Sequence, residues 1–297
     1  MEYGNETMAT PEVAIPEAAS GKTSCILAMH DRGGYLVFDK EECQRAGRRL
    51  HEQYVHARCF PHIVLSDLVH PELLRRVARE FPASDGHAAF NRSQERLKYQ
   101  YPPRYWMGPA THNLFAELNS DAFVTFLEEM TGIQGLIVDP TYAGGGLHET
   151  KSGGHLSVHA DFNINDHLKV IRQLNLLIYL NDDWPDEYGG HLELWNRSMT
   201  ACEVRVPPTL GRSVVFTTTL DSYHGQPNPV SCPPDRSRRS MALYYYKATE
   251  EGLASLPRRT TNFQARPGSG DKTDWRIRRF HLVNDWVPPI IRRRWSI

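Results

Sequence analysis

The sequence predicts an α+β fold in which a β jelly roll is buttressed by helices that precede it in the chain. Two observations lead to this expectation. Residues 41–131 contain runs with apolar side chains at helical spacing, whereas residues 132–250 hold at least seven short β-rich runs separated by turn residues. Short strands at near-regular spacing are typical of a double-sheet jelly roll or barrel. We therefore expect the helices to pack on the outside of a C-terminal β core.

Two helices are expected in the first part of the helical segment. The first covers residues 41–58, where Leu50 and Tyr54 share one face. The second lies within SDLVHPELLRRVAREF, in which the proline falls in the first turn and four apolar residues repeat at helical spacing. Ser66 or Asp67 is the expected N-cap of this second helix.

A third helix is expected within NSDAFVTFLEEMTG, between the cap candidate Ser120 and the helix-ending Gly132. Its apolar stripe would face the β core. Residues 82–112, which separate the last two helices, are polar and aromatic and show little periodicity. They give no signal for a regular element.

The predicted strands follow Gly132 and share a high content of β-branched and aromatic residues. Turn sequences such as GGG, DDWPDEYGG, PPTLG and QPNP separate them. The runs are GLIVDPTY (135–142), HLSVHADF (155–162), RQLNLLIYL (172–180), GGHLELWN (189–196), CEVRVPP (202–208), GRSVVFTTT (211–219) and RSMALYYYKA (239–248).

The composition is typical of a soluble globular protein and gives no reason to expect a membrane or nucleic-acid partner. Hydrophobic residues make up 40%, charged residues 23%, and the formal net charge is -1. No apolar run is long enough to span a membrane, and the first residues lack the pattern of a secretory signal. We expect residues 1–24 to be a disordered tail and the cysteines to be reduced thiols of a cytoplasmic protein.

The last segment, residues 251–297, is basic, with ten Lys or Arg against four Asp or Glu. The stretches WRIRRF and IIRRRW interleave arginine with aromatic residues, a pattern that also occurs on surfaces that bind nucleic acids or other anions. A solvated helix face whose aromatic side chains pack on the core explains the same pattern. We favour the second interpretation because no nucleic-acid-binding motif accompanies the stretch.

The stretch GGHLSVHADFN contains the strongest candidate for a metal site. Its two histidines, His155 and His159, are spaced as in helical zinc sites, but Leu156 stands where those sites need glutamate. On a strand, His159 and Asp161 share a face, and one more imidazole would complete the two-histidine, one-carboxylate triad that holds non-haem iron. A buried hydrogen-bonded pair without metal is the third alternative.

Two residues further along the chain could complete such a site. His224, in TTTLDSYHGQPNP, ends an apolar β run before a proline turn. Arg239 opens the strand RSMALYYY, and by alternation it shares a face with Met241, Leu243 and Tyr245. An arginine buried in that row would need a carboxylate partner, and its planar fork suits a dicarboxylate such as 2-oxoglutarate. A surface charge remains the alternative for this arginine.

These motifs together resemble the prolyl-hydroxylase-type branch of the 2-oxoglutarate/Fe(II)-dependent oxygenases. The resemblance covers residues 132–250 and depends on HAD, LLIYLNDDW, YGGHLELW, SYHGQP and the strand RSMALYYY, in this order and spacing. It implies a double-stranded β-helix, the jelly roll of this family, within a single oxygenase domain that spans residues 25–297. The helical support would then be residues 41–131 and the jelly-roll core residues 132–250.

The resemblance also implies the roles of individual residues. His159, Asp161 and His224 would bind iron, and Arg239 would hold the distal carboxylate of 2-oxoglutarate. Tyr179 matches a family tyrosine that contacts the same carboxylate, and Asn175 lies on the same strand face, so both are expected to bind the cofactor. The tyrosines that precede the triad in better-studied prolyl hydroxylases are missing here. Candidate substrate contacts are His148, Glu149, His155 and Trp184.

The expected function is that of a dioxygenase that uses Fe(II), 2-oxoglutarate and O2, with ascorbate as a reductant. The retained Asp161 favours hydroxylation over halogenation, because related halogenases lack this carboxylate. The expected substrate is amino-acid-like or another small metabolite, for example in natural-product biosynthesis. A protein prolyl residue is an alternative substrate, and desaturation or cyclisation is an alternative outcome. A non-enzymatic β-sandwich binding module and a cupin-like or zinc hydrolase are the alternatives from other classes. The oligomeric state is left open.

Overall fold

The computed structural model describes residues 25–84, 87–249, 252–253, 256, 258–271, 276 and 279. The predicted tail 1–24 lies outside the described residues. So does most of the basic segment 251–297, including all of IIRRRW and all of WRIRRF except Arg276 and Arg279. No helix among the described residues combines the length and apolar character needed to cross a membrane.

The described elements form an α+β fold that begins with a small hairpin and most of the helices. The helices are α1 (Lys40–Val55), α2 (Pro71–Arg79), α3 (Pro109–Glu117) and α4 (Asp121–Thr131). The strands are β1 (Met29–Arg32), β2 (Tyr35–Phe38), β3 (His62–Leu65), β4 (Phe90–Arg92), β5 (Glu95–Tyr101), β6 (Ile137–Val138), β7 (Gly146–Ala160), β8 (Ile164–Asn165), β9 (Val170–Tyr179), β10 (Leu192–Trp195), β11 (Cys202–Val206), β12 (Ser213–Thr217), β13 (His224–Gln226), β14 (Ser237–Lys247) and β15 (Asn262–Phe263).

The strands from β3 onwards form an antiparallel jelly roll, which confirms the predicted fold class. The strand order along the main path is β11-β10-β13-β7-β14-β9-β12-β3. The long strand β7 links the two halves, because its first part pairs with β14 and its last part pairs with β13. On its other edge β7 pairs with β5 and with the C-terminal strand β15. The strand that carries the HAD motif is therefore hydrogen-bonded along most of its length.

The helices pack against one face of the jelly roll, as the sequence predicts. Their apolar residues form a single buried cluster with the outer face of β9 and β14, and this cluster includes Phe123, Phe126, Leu176, Met241 and Leu243. A second cluster fills the interior between the two halves of the jelly roll. One face of β14 therefore packs against the helices, and the other faces the interior of the jelly roll.

The capping of the helices agrees with the sequence in two cases and differs in one. Ser120 caps α4, and Gly132 ends it in a left-handed conformation with φ of 76°. The N-cap of α2 is His70, so the prediction of Ser66 or Asp67 is wrong. The helix starts later because Leu68 and Val69 are fully buried in an irregular segment with bends before Pro71.

Residues 82–112 contain two strands, β4 and β5, and the start of helix α3, which the sequence pattern does not reveal. The N-cap of helix α3 is Gly108, which has no side chain that could cap the helix. Instead Glu80 accepts hydrogen bonds from the backbone N–H groups of Ala110 and Thr111, at 3.1 and 2.7 Å. A Cβ at Gly108 would lie 2.0 Å from Glu80 Cδ, so the glycine lets this carboxylate reach the helix end.

This contact predicts that Glu80 stabilises α3 in the way of an N-cap. Replacing Glu80 by alanine should lower the free energy of unfolding by about 1–2 kcal/mol, because two N–H groups lose their acceptor. Urea denaturation followed by circular dichroism measures the change. The matched control is Glu72→Ala, which removes an exposed glutamate from the neighbouring helix and should change stability far less. Equal losses in the two variants would contradict the capping role.

Candidate active site

The paired ends of β7 and β13 bring three potential metal ligands together. His159 and His224 are direct partners in the two strands, and Asp161 follows β7 by one residue. Their ligand atoms all lie within 4.8 Å of one another, with Asp161 Oδ1 at 3.6 Å from His159 Nε2 and Oδ2 at 3.5 Å from His224 Nε2. Because β7 is a strand throughout, the helical zinc site considered for His155 and His159 does not form.

A glycine next to His224 allows the two strands to approach closely. A Cβ at Gly225 would lie only 2.9 Å from the Ser157 carbonyl oxygen and from the backbone of Val158. The HGQ sequence of β13 therefore places His224 against His159 without a side-chain clash, and the two imidazole centroids lie 4.5 Å apart.

Both imidazoles are held in the same way by the backbone. His159 Nδ1 lies 2.9 Å from the Ser157 carbonyl oxygen, and His224 Nδ1 lies 3.0 Å from the Ser222 carbonyl oxygen. The carbonyls accept a hydrogen bond, so each Nδ1 carries the proton and each Nε2 presents a lone pair to the cluster. Burial lowers the pKa of His224 to about 4, helped by repulsion from His159. The neutral imidazole that a metal requires is thus the stable form near neutral pH.

The carboxylate of Asp161 is fixed by two neighbours on β9. Asn175 Nδ2 donates to Asp161 Oδ2 at 2.8 Å, and Arg172 Nη2 lies 3.0 Å from the same oxygen. Burial alone would raise the pKa of Asp161, but the Arg172 guanidinium and the two imidazoles hold it well below its usual range. The other oxygen, Oδ1, faces His159, with Nε2 of that imidazole 3.6 Å away. Two imidazole nitrogens and one carboxylate oxygen form a donor set that fits Fe(II).

The three residues line a cavity of about 290 Å3 inside the jelly roll. Its charged wall contains four cations, Arg92, Lys98, Arg172 and Arg238, against two acids, Glu95 and Asp161. Strands β7, β9, β13 and β14 supply most of the interior, while the β4–β5 hairpin and residues Thr261 and Phe263 close other sides. The excess of positive charge favours anionic ligands.

Of the two arginines at the start of β14, Arg238 lines this cavity and Arg239 does not, although the sequence pattern predicts Arg239 there. Arg238 Nη2 donates to the Tyr179 hydroxyl at 3.1 Å, and Arg238 Nε donates to the Gly190 carbonyl at 2.6 Å. Arg239 lies on the opposite face, above the Phe81 ring and 3.7 Å from Glu149. The row that Arg239 shares with Met241, Leu243 and Tyr245 faces the helices instead of the interior.

The remaining cofactor candidates lie where the strand pattern of β9 predicts. Asn175 and Leu177 line the cavity, and Tyr179 is fully buried beside Arg238. Asn175 contacts Asp161 directly, which makes it a partner of the metal-ligand candidate. Arg238 lines the cavity, and the Tyr179 hydroxyl contacts its guanidinium from behind the lining residues.

Of the four substrate candidates, only His148 lines the cavity. Glu149 is the next residue of β7 and points to the opposite face, where it accepts hydrogen bonds from Tyr101 and Ser237. His155 lies in a separate surface pocket and contacts the Ser93 carbonyl. Trp184 packs with Val230 and Cys232. The expected substrate residues Glu149, His155 and Trp184 therefore do not line this cavity.

Several cavity residues were missed by sequence reasoning. Arg172 is the most important, since it is 2% exposed, contacts Asp161 and lies 3.4 Å below the Tyr244 ring centroid. Its position in the same predicted strand as Asn175 and Tyr179 was a usable signal. The hairpin residues gave none, because β4 and β5 lack a hydrophobic alternation.

The segment that contains the three ligand candidates is similar to a known protein family. Residues 145–246 match the model of the 2OG-Fe(II) oxygenase superfamily. The fold and the donor set define the class as a non-haem iron oxygenase. More specifically, this matched segment is similar to the 2OG-Fe(II) oxygenase superfamily, and the protein is a 2-oxoglutarate-dependent iron dioxygenase with Fe(II) and 2-oxoglutarate as its cofactors.

Solved structures of similar fold include three prolyl hydroxylases. A prolyl 4-hydroxylase of Phytophthora capsici superposes with a TM-score of 0.50 and 17% identity, covering 75% of this chain and 70% of that chain. A Pseudomonas putida prolyl-4-hydroxylase gives a TM-score of 0.49 and 15% identity, covering 68% of this chain and 99% of that chain. A Trichoplax adhaerens prolyl hydroxylase in complex with a hypoxia inducible factor peptide gives a TM-score of 0.49 and 14% identity, covering 70% of this chain and 91% of that chain. The first of these supports the fold alone. No curated protein sequence matches the chain.

The position of His148 predicts a pH dependence of stability. Burial, together with the nearby cations Lys98 and Arg238, lowers its pKa to about 3. Since an unfolded histidine takes up a proton below about pH 6.5, stability should fall as the pH drops from there towards 3. His148→Gln should reduce this loss by roughly 1–2 kcal/mol between pH 7 and pH 4.5. Urea denaturation of chelator-treated protein at both pH values tests this, and identical losses in variant and wild type would contradict it.

Proposed function

We propose that this protein hydroxylates an unactivated C–H bond of a small, amino-acid-like metabolite, with Fe(II) held by His159, Asp161 and His224. The observation that carries the proposal is the clustering of these three ligand atoms inside a positively charged cavity. The cavity of about 290 Å3 must accommodate 2-oxoglutarate as well as the reacting part of the substrate. This limited space favours a small molecule.

The side chains around the triad would divide the work of the reaction. Bound Fe(II) and 2-oxoglutarate supply oxygen activation, with succinate and CO2 as co-products of substrate hydroxylation. Arg238 and the Tyr179 hydroxyl would bind the distal carboxylate of 2-oxoglutarate at the end of the cavity. Arg172 and Asn175 would keep the Asp161 carboxylate ionised and correctly oriented towards the metal. The apolar walls would exclude water from the reacting C–H bond.

The metal-ligand assignment predicts loss of turnover on replacement of either half of the HAD motif. His159→Ala or Asp161→Ala should reduce succinate release from 2-oxoglutarate at least a hundredfold in the presence of Fe(II) and ascorbate, because a ligand of the metal is lost. His155→Ala is the matched control, since it changes a histidine of the same strand that faces a separate surface pocket. Wild-type turnover in the two triad variants would rule out the assignment.

The position of Arg238 predicts which arginine binds the cosubstrate. Arg238→Gln should raise the KM for 2-oxoglutarate about tenfold or more, because a charge-assisted hydrogen bond to a carboxylate is lost. Arg239→Gln should leave this KM within about twofold, since its guanidinium lies on the opposite face. The measurement is succinate formation as a function of 2-oxoglutarate concentration. A larger effect at Arg239 than at Arg238 would overturn the assignment.

The same assay distinguishes the other substrates and outcomes. A proline-containing peptide that accelerates succinate release would identify a protein prolyl hydroxylase. Mass spectrometry of the product separates hydroxylation, which adds an oxygen atom, from desaturation or cyclisation, which removes two hydrogens.

A further inference from the structure

The β4–β5 hairpin builds a wall of the cavity that the proposed iron and 2-oxoglutarate contacts leave unused. Strand β5 pairs with β7 so that Lys98 lies opposite Thr150 and Glu95 lies opposite Leu156. The hairpin side chains that line the cavity are Phe90, Arg92, Glu95, Lys98 and Gln100. Most of these are polar or charged, so this wall is suited to recognise charge on a ligand.

Glu95 and Lys98 form an ion pair at this wall. Lys98 Nζ lies 2.9 Å from Glu95 Oε1, and the two side chains are only 15% and 12% exposed. Each group keeps unused capacity, because an ammonium has three donors and a carboxylate can accept on both oxygens. A pair of opposite charges facing a cavity is complementary to a ligand that carries opposite charges on neighbouring atoms.

A second polar group on the far side of Leu156 points to the same kind of ligand. Gln226 lines the cavity and is 3% exposed, and its Oε1 has no hydrogen-bond partner among the described residues. Its Nε2 donates to the backbone carbonyls of Gly154 and Asn228, which fixes the carboxamide. Since Leu156 is the strand partner of both Glu95 and Gln226, two acceptors flank it. A buried acceptor without a partner calls for a donor on the ligand.

The same wall also carries positive charge that could bind a carboxylate. Arg92 makes no ion pair with the described part of the chain and lies at the exposed rim of the cavity. Together with Lys98 it adds positive charge next to the Glu95 carboxylate. A ligand that carried only an ammonium group would leave these two cations without an anionic partner.

We propose that this wall recognises the substrate as an amino-acid-type zwitterion. Glu95 and the Gln226 carbonyl oxygen bind its ammonium group, and Lys98 and Arg92 bind its carboxylate. The side chain of the bound amino acid then reaches towards the His159–Asp161–His224 cluster. This inference rests on the proposed function, because it names the substrate class of the same cavity.

The test compares free amino acids with derivatives that lack one charge. Succinate release by the wild-type protein is measured with Fe(II), ascorbate and 2-oxoglutarate, and with the proteinogenic L-amino acids, their N-acetyl derivatives or their amides as probes. At least one free amino acid should accelerate turnover, and its N-acetyl and amide derivatives should have KM values at least tenfold higher. Acceleration by none of the free amino acids, or equally by the derivatives, would overturn the proposal.

The variants test the two charges separately. Glu95→Gln should shrink the preference for the free amine over the N-acetyl derivative, whereas Lys98→Gln should shrink the preference for the free acid over the amide. A purely structural role would weaken both forms of a ligand equally and leave the ratios unchanged, which would overturn the inference. Arg96→Gln is the control, because Arg96 lies in the same strand but in a separate surface pocket.

The rate of 2-oxoglutarate turnover without substrate distinguishes failure of the zwitterion assignment from failure of the proposed oxygenase function. Wild-type protein that converts 2-oxoglutarate slowly without substrate, but responds to no amino acid, would retain the proposed oxygenase function and lose only the zwitterion assignment. Absence of any 2-oxoglutarate turnover under all conditions would count against the proposed function itself.

Discussion

The site depends on a buried carboxylate that stays ionised because a buried arginine lies beside it. Burial raises the pKa of Asp161, whereas Arg172 and the two imidazoles hold it well below its usual range, and a protonated acid is a poor metal ligand. Arg172 is in turn held between the Phe162 and Tyr244 rings, 4.7 and 3.4 Å from its guanidinium carbon. The aromatic residues of β14 and of the loop after β7 thus hold the arginine that helps to keep Asp161 ionised.

Strand alternation determines which side chains can reach this centre, and it also explains where the sequence misleads. The fold class follows from the sequence because apolar runs and turn residues mark the strands after Gly132. The register of β14 does not, because both of its faces are buried and either arginine could face inward. Met241 and Leu243 pack against the helices, and this packing sets the orientation of β14 so that Arg238 faces the cavity.

The candidate triad was predictable because a motif and a distant histidine converge on one type of site. The wall formed by β4 and β5 was not, because its residues line a polar cavity and show no hydrophobic periodicity. The orientation of Glu149 was also not predictable, because β7 continues past Lys151 through Gly153, whose φ of 80° is irregular for a strand. His148 and Glu149 are consecutive residues of β7, so their side chains point to opposite faces. His148 therefore lines the cavity, whereas the Glu149 carboxylate points outward.

The pairing of β7 with strands from distant parts of the sequence has a consequence for how the centre is assembled. Its neighbours include β5, which precedes it, and β13 and β15, which follow, so that Phe263 is the strand partner of His159. Contacts of such long sequence separation form late in folding, since the loops must close first. A complete metal site therefore exists only in the fully folded chain, and iron binding should shift the folding equilibrium towards that state.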